Sequence, residues 1–254
     1  MLRGLYISGT AMRTLDKRMN TLSNNITNAD TVGYKSDTFV TRAFNDVLIE
    51  RLYDPSVLSQ TRQVGPLNYG VLVDELVVSH AQGPLRSTER AYDMALAQPD
   101  TFFTVETPDG PRYTRAGDFH IDGDGALLTA EGNRVMGRNG PIQASTNPDD
   151  RFIVNDWGEV FINDTYVDTL NVVAFDDPAA LRKEGSNLFA DPSESGANEV
   201  TAQVKQGYLE GSNATMATAM IDMMTVARAY ETNQRIIQMT DETIGLAANR
   251  IGTV

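Results

Sequence analysis

The 254-residue chain contains no cysteine and only two histidines, His80 and His120. Without cysteine there are no disulfide bonds, no thiolate catalysis and no cysteine-ligated zinc or iron–sulfur sites. Two histidines leave little room for a histidine-rich metal site. Basic residues are also scarce, 21 against 34 acidic ones, giving a formal net charge of −13. Because phosphates demand a basic surface, this balance argues against nucleic-acid binding. We therefore expect no metal, no cofactor and no nucleic-acid partner.

Long hydrophobic runs are missing as well. No window approaches the roughly 20 apolar residues that span a bilayer, and residues 1–10 lack the apolar core of a secretory signal. We expect no membrane insertion and no cleaved signal peptide. Hydrophobic residues nevertheless make up 41% of the chain, which is enough for a packed core. The length suits one large domain or two modest ones.

The first 30 residues contain no proline and repeat apolar residues in steps of seven. One column consists of Leu5, Met12, Met19 and Ile26, and the other of Ser8, Leu15, Leu22 and Ala29. Alternating steps of three and four are typical of a coiled-coil seam. The pattern predicts a helix that ends near residues 28–33, where asparagine, aspartate and glycine are typical stop signals.

Asparagines are concentrated late in this helix, at Asn20, Asn24, Asn25 and Asn28. Asparagine is a mediocre helix former, so this density needs a reason. One interpretation is a polar flank that leads into a cap. The other is side-chain hydrogen bonding to neighbouring subunits through Asn24, Asn25 and Asn28, because an amide can donate and accept at once.

The carboxy-terminal end repeats the pattern over a longer stretch. One apolar column with a period of seven contains Met216, Met223, Tyr230, Ile237, Ile244 and Ile251, beside a mixed column of Met220, Ala227, Gln234, Asp241 and Ala248. It predicts one helix from about 213 to 250, with Ser212-Asn213 as its N-cap.

An apolar stripe of this kind can simply be the core face of a helical bundle. However, eight of the ten methionines lie in the two terminal segments, and methionine suits surfaces that fit several neighbours. We therefore expect both stripes to serve intermolecular packing.

The pattern in the middle of the chain predicts short strands separated by glycine turns. Strand-type runs lie at 71–73, 76–78, 102–105, 112–115, 152–154, 160–162 and 170–175, with turn pairs such as Asp109-Gly110 and Asn139-Gly140 between them. Close spacing of strands predicts an antiparallel meander. The predicted fold is α+β. Residues 1–35 and 212–254 are expected to form a discontinuous helical assembly domain, in which the two helices pair as a coiled coil. A connecting segment (36–70) with a short helix at 38–52 leads to a β-rich outer domain (71–211).

No catalytic constellation is present. His80 has no serine-and-acid pattern around it. Residues 118–129 place Asp122 and Gly123 where a calcium loop needs them, but Thr129 stands where the bidentate glutamate belongs, so a hairpin turn is the better interpretation. The glycines of 123–140 do not form a phosphate-binding loop.

Four motifs resemble those of bacterial flagellar rod and hook proteins. They are 22–35 (LSNNITNADTVGYK); 113–119 (YTRAGDF), followed by 125–128 (GALL) and Gly132; 207–213 (GYLEGSN); and 228–234 (RAYETNQ). One departure is visible, because Ala97–Phe103 (AQPDTFF) stands where the family has a glycine-rich segment before a double phenylalanine. We expect one reshaped β-turn there.

The resemblance implies a structural, non-enzymatic subunit of the basal-body rod or hook base, exported unfolded by the flagellar type III apparatus and working outside the cytoplasm. It would polymerise with itself and with other axial proteins into a hollow structure, its terminal helices forming an inner layer. The implied interface contains Leu5, Met12, Leu15, Met19, Leu22, Asn24, Asn25, Ile26, Asn28, Met216, Met220, Met223, Tyr230, Ile237 and Ile244. The alternative is an exported accessory protein: a cap, a scaffold or a peptidoglycan-processing factor.

Charge is distributed unevenly in a way that fits this interpretation. Residues 1–35 hold five basic and two acidic residues, a net charge of +3, so the remainder carries −16. A basic leading helix and an acidic remainder suit a solvated exterior around an assembly layer.

Overall fold

A computed structural model of the chain describes residues 2–52, 61–145, 147, 150–192 and 197–251. The chain forms two compact units. Unit 1 comprises Met1–Asn24, Thr38–Val77 and Ala217–Val254, and unit 2 comprises Asn25–Asp37 and Val78–Met216. No described helix is both long and apolar enough to cross a membrane.

Unit 1 contains most of the two long helices, α1 (Leu2–Thr27) and α2 (Met216–Ile251). Both predicted helices are confirmed, and α1 ends just before residues 28–33 as expected. Gly33 has φ +67°, a left-handed backbone that glycine adopts without steric cost. Ser212 Oγ accepts a hydrogen bond from the Ala214 amide at 3.1 Å, one turn before α2.

The short helix predicted for 38–52 is wrong, because this segment forms strands. The four strands of unit 1 are β1 (Asp37–Ala43), β2 (Val47–Leu52), β3 (Thr61–Leu67) and β4 (Val71–Val78), with β1 paired to β4 and β2 to β3. Apolar spacing alone suited a helix. Val40, Thr41 and Val47 are β-branched residues, which favour strands when a partner strand is available. The described part of the 36–70 segment is therefore largely β structure.

The described residues of unit 2 form sixteen short strands and one 3-10 helix, Pro178–Ala180. The strands are β5 (Leu85–Ser87), β6 (Met94–Leu96), β7 (Thr101–Thr107), β8 (Gly110–Thr114), β9 (His120–Ile121), β10 (Leu127–Leu128), β11 (Arg134–Val135), β12 (Phe152–Val154), β13 (Glu159–Ile162), β14 (Thr165–Thr169), β15 (Val172–Ala174), β16 (Arg182–Glu184), β17 (Leu188–Ala190), β18 (Asn198–Glu199), β19 (Val204–Gln206) and β20 (Tyr208–Glu210).

All described strand pairs of unit 2 are antiparallel, as the glycine turns predicted. The largest sheet has the order β16-β17-β8-β7-β11-β10-β9, and β15 joins β7 to β18; β12-β13-β14, β19-β6 and β20-β5 form smaller sheets. The predicted calcium-like segment is a hairpin between β9 and β10, closed by a hydrogen bond from the Asp122 amide to the Ala126 carbonyl at 3.0 Å.

Strand β7 divides the core of unit 2 into two clusters. Successive side chains of a strand point to opposite faces. Phe103 and Val105 therefore pack in the larger cluster, and Phe102 packs in the smaller one with Phe175 and Phe189. The ring of Phe102 meets the rings of Phe175 and Phe189 edge-on.

The expected departure from the glycine-rich segment of the family lies in the turn that precedes β7. Asp100 has φ +59°, a left-handed backbone that favours glycine and that aspartate tolerates better than most residues. Aspartate thus occupies a glycine-type conformation in the segment where the resemblance led us to expect glycine.

Candidate functional site

The predicted seam of α1 coincides with its less exposed face. Met12, Leu15, Met19, Leu22 and Ile26 are all half-buried, whereas Leu5 near the start of the helix is exposed. A second face of α1 lies against strand residues of the same unit. Its members Tyr6, Thr10, Arg13, Thr14 and Lys17 line a groove of about 300 Å³ with Phe44 and Val71–Val73.

The less exposed face of α2 also follows steps of three and four. It combines the predicted column, Met223, Tyr230, Ile237 and Ile244, with a second column of Ala219, Val226, Asn233, Thr240 and Ala247. This second column lies one position before the predicted companion column that starts at Met220. The heptad allows either choice, because a step of three or four from Met216 satisfies the repeat. In the structure, the second column begins at Ala219, three positions after Met216.

The shift leaves several large apolar side chains on the outside of α2. Met216 and Met220 are 41% and 46% exposed, and Ile221 and Met224 beside them are more than half exposed. Positions four apart share one helix face, so Met216, Met220 and Met224 form a continuous apolar strip near the start of the helix. Exposed strips of this kind mark interaction surfaces more often than isolated apolar residues do.

One groove has residues of both helices in its walls. Gly4 of α1 and Ile236, Met239, Thr240 and Thr243 of α2 line a space of about 350 Å³ within unit 1. Apart from neighbouring residues of α1 itself, no atom of the described residues lies within 4 Å of the position that a Cβ on Gly4 would occupy.

The three asparagines predicted at the interface have different environments. Asn25 is buried and is used within unit 2: its Oδ1 accepts from the Tyr34 hydroxyl at 3.0 Å and from the Asp37 amide at 3.0 Å, while its Nδ2 donates to the Asp37 carbonyl at 2.9 Å. For Asn25, these bonds fit the interpretation of a polar flank that leads into a cap at the end of α1. Asn28 Oδ1 accepts from the Thr31 hydroxyl at 3.3 Å, in the turn that follows α1. Asn24 lies on an exposed face of α1.

A buried charge cluster in unit 2 joins three of the sequence motifs. Lys35 Nζ lies 2.6 Å from Glu210 Oε1, and Arg115 Nη1 lies 3.1 Å from Glu210 Oε2. All three side chains are at most 1% exposed. The Gly83 amide adds a third donor to Glu210, at 2.9 Å, so the carboxylate is fully satisfied. We call Lys35, Arg115 and Glu210 the charge cluster.

Burial dominates the electrostatics of the two cations. It lowers the pKa of Lys35 and of Arg115 from their ordinary values, and the carboxylate of Glu210 works against this shift by favouring both charged forms. Two further donors find partners, since Lys35 Nζ donates to the Ala81 carbonyl at 2.8 Å and Arg115 Nη2 to the Gln98 carbonyl at 2.8 Å. The buried Arg115 Nε has no hydrogen-bond partner among the described residues. Such pairs depend on complete hydrogen bonding, because charged groups are costly to remove from water.

The chain on either side of Lys35 is held equally tightly. The Gly33 amide donates to the Glu210 carbonyl at 2.8 Å. Lys183 Nζ donates to the Lys35 carbonyl at 2.7 Å, forms an ion pair with Asp37 at 3.2 Å and lies 3.9 Å from the centre of the Tyr34 ring. Burial, followed by the charge of Asp37, raises the pKa of Tyr34 to about 12.

Asn213 closes the same region from the other side. Its Oδ1 accepts from the Ser36 amide at 2.8 Å, and its Nδ2 donates to the carbonyls of Ser79 at 2.7 Å and Ala81 at 3.0 Å. Its side chain is therefore used in tying three segments together, not in capping α2 as predicted. The segment that follows α1 and the segment that precedes α2 are fastened to each other within unit 2.

The charge cluster was not predicted from the sequence, although each of its members lies in a motif that carries the resemblance. Lys35 ends the first motif, Arg115 lies in the second and Glu210 in the third. Their pairing was invisible because the residues are far apart along the chain. A partial signal existed, because Lys35, Arg115 and Glu210 each lie within two residues of a glycine.

Among the described residues, the two histidines and the acidic groups show no catalytic arrangement. His80 packs against the rings of Phe102 and Phe189, and burial, with help from Lys35, lowers its pKa. Within the ranges that the structure describes, no three histidine, aspartate or glutamate side chains come together in a way that suits a metal ion.

Three family models match this chain. "Flagella basal body rod protein" matches residues 5–35, "Flagellar hook protein FlgE/F/G D1 domain" matches 98–162, and "Flagellar basal body rod FlgEFG protein C-terminal" matches 205–250. Each region contains one member of the charge cluster.

Similar full-length proteins include the flagellar hook-basal body complex protein FlhO of Bacillus subtilis (strain 168), 33% identical over the whole of both chains. The flagellar basal-body rod protein FlgG of the same organism is 30% identical, over 95% of this chain and 96% of its own. FlgF, a flagellar basal-body rod protein of Caulobacter vibrioides, is 28% identical over the whole of both chains.

Proposed function

Since the chain belongs to the family of flagellar basal-body rod and hook proteins and is a structural subunit of the flagellar basal body, we propose that it polymerises through its two terminal helices into a hollow axial structure. Its partners are further copies of itself and other axial proteins of the rod and hook. It reaches them through the flagellar type III export apparatus, works outside the cytoplasm and has no catalytic role.

The observation that carries the proposal is the pair of apolar faces on α2. One face, with Met223, Tyr230 and Ile237, is half-buried within a single chain. The other, the strip of Met216, Met220 and Met224, is exposed. A helix that is apolar on two sides cannot cover both faces by folding alone, so the second face needs another chain.

The α1 seam supports the same conclusion. Met12, Leu15 and Met19 are half-buried rather than fully buried, so additional apolar area is available to a neighbouring helix. We propose that α1 and α2 pack as a coiled coil through these seams. Contacts that differ at the two partners generate an open, helical filament when the rotation between copies does not close a ring.

Two substitutions on α2 test the interface. Ile237→Asp places a carboxylate on the half-buried face, where a desolvated, unpaired charge costs several kcal/mol. We expect loss of motility and of complete basal bodies. Gln238→Asp introduces the same group at the next position, which is exposed, and we expect normal motility. Unit 2 should remain folded in both variants, as judged by the fluorescence of Trp157, the only tryptophan of the chain. Normal basal bodies in Ile237→Asp would refute the proposal.

A further test addresses the exposed strip directly. Met220→Glu should leave folding of the single chain unchanged, because Met220 is 46% exposed, and should still block polymerisation. Wild-type levels of assembled protein in sheared flagellar preparations from this variant would exclude the strip from the interface.

A further inference from the structure

Residues 203–213, which contain β19 and β20 and lie just before α2, complete two sheets of unit 2. Among the described strands, β19 pairs with β6 alone and β20 pairs with β5 alone, so each of these sheets has two strands. Without residues 203–213, β5 and β6 would have no partner strand. We call this stretch the closing segment.

The backbone of the closing segment also binds parts of the chain outside these two sheets. The Gly207 carbonyl accepts from the Thr88 amide at 2.8 Å, and the Gly207 amide donates to the Asp93 carbonyl at 2.8 Å. The Val204 amide donates to the Asp156 carbonyl at 3.1 Å. These bonds link three parts of the chain that are far apart in the sequence.

Two side chains of the closing segment extend these links into the core. Gln206 Nε2 donates to the Ala91 carbonyl at 2.7 Å and to the Phe152 carbonyl at 3.1 Å. Its Oε1 accepts from the Val154 amide at 3.1 Å. Val204 is 1% exposed and packs in the larger cluster of the core. The closing segment therefore supplies both apolar volume and polar partners to the strands around it.

Detaching the closing segment would leave buried groups without partners. Glu210 is the anion of the charge cluster, so the buried Lys35 and Arg115 would lose their counter-ion. The Gly33 and Gly83 amides would lose their acceptors, which are the main-chain and side-chain oxygens of Glu210. Buried charges and amides without partners are strongly destabilising. A form of unit 2 that kept its other strands in place would carry all of these costs at once.

We propose that unit 2 folds only when its closing segment is available, because the remainder of unit 2 has no stable structure of its own. The segment lies at the carboxy-terminal end of unit 2, so a chain that is made from its amino terminus gains it last. Unit 2 then stays unfolded until the chain is almost complete. Late folding suits a chain that is exported unfolded, a role that rests on the proposed function.

Native-state hydrogen exchange of the full chain tests the proposal, because it detects segments that open while the rest of a domain stays folded. The comparison is between amides of β19 and β20, in the closing segment, and amides of β7, which pairs with β8, β11 and β15 instead. We expect both sets of amides to show equal protection and equal urea dependence, since both exchange through unfolding of the whole of unit 2.

Two matched substitutions sharpen the measurement. Val204→Ala lies in the closing segment and Val160→Ala lies in β13, and both side chains are at most 1% exposed in the larger cluster of the core. Each substitution should speed the exchange of both sets of amides by one common factor, at least about tenfold, because each removes buried methyl groups from the same core.

Faster exchange of β19 and β20 than of β7 in wild type would overturn the proposal. So would a Val204→Ala variant in which exchange accelerates in β19 and β20 alone, while Val160→Ala accelerates it throughout unit 2. Exchange in the single chain does not depend on polymerisation. Failure of this proposal is therefore distinguishable from failure of the proposed assembly, which is judged by the basal bodies of Ile237→Asp.

Discussion

Replacing Glu210 by glutamine removes the only anion of the charge cluster and leaves two buried cations. Glu210 is completely buried and contacts Lys35 at 2.6 Å and Arg115 at 3.1 Å. The amide of Glu210→Gln keeps the shape of the side chain and can still accept from the Gly83 amide. The substitution therefore removes the negative charge and turns one of the two cation contacts into a contact between two donors.

The expected cost is large compared with the stability of a domain. Breaking a buried ion pair by removing one partner typically costs 3–5 kcal/mol, and here one carboxylate serves two cations. A folded domain has a total stability of about 5–15 kcal/mol. We expect Glu210→Gln to lower the free energy of unfolding of unit 2 by about 3–5 kcal/mol, which places it near the limit of folding.

Urea denaturation followed by Trp157 fluorescence measures this cost. The matched control is Glu199→Gln, an exposed glutamate in β18, which should change stability by less than about 0.5 kcal/mol. A triple variant with Lys35→Met, Arg115→Met and Glu210→Leu should recover most of the loss, because apolar replacement of a complete buried ion cluster is often neutral. A cost below about 1 kcal/mol for Glu210→Gln would refute the reasoning.

Three further substitutions probe the surroundings of the cluster. Because the pKa of His80 is lowered, His80→Phe should make the Tm of unit 2 less sensitive to acidification below about pH 6.5; an unchanged slope in a pH series of melting curves would contradict this. Because the pKa of Tyr34 is raised to about 12, the folded chain should lose stability as pH rises above about 10, and Tyr34→Phe should reduce that loss in urea titrations at alkaline pH. Asp100→Asn keeps tolerance of the left-handed backbone but removes a negative charge that acts on Lys35 and Arg115. It should cost about 0.5–1 kcal/mol in low salt and less in high salt; a cost independent of salt would count against the electrostatic role.

The terminal helices could be predicted from the sequence because their signal is local. A period of seven sustained from Met216 to Ile244 fits an α-helix and no other regular structure. The companion column of α2 could not be fixed in the same way. Steps of three and four from Met216 are equally compatible with a heptad, and the partner surface decides between them.

The β1–β2 region shows the converse case, in which tertiary pairing overrides local spacing. The apolar residues of 38–52 fit a helical face, yet Val40 and Val47 lie in strands that pair with β4 and β3. The charge cluster was out of reach for a related reason. Lys35 and Glu210 are 175 positions apart, and no periodicity in a single sequence connects two such distant residues.

Cryo-electron microscopy of isolated basal bodies that contain this chain tests the central claim most directly. The account predicts that the chain forms part of the axial structure, with α1 and α2 of neighbouring copies packed side by side around the channel through the Met12 and Ile237 faces and the Met220 strip. A map in which the chain lies outside the axial structure, or in which these helices make no contact with neighbouring copies, would contradict it.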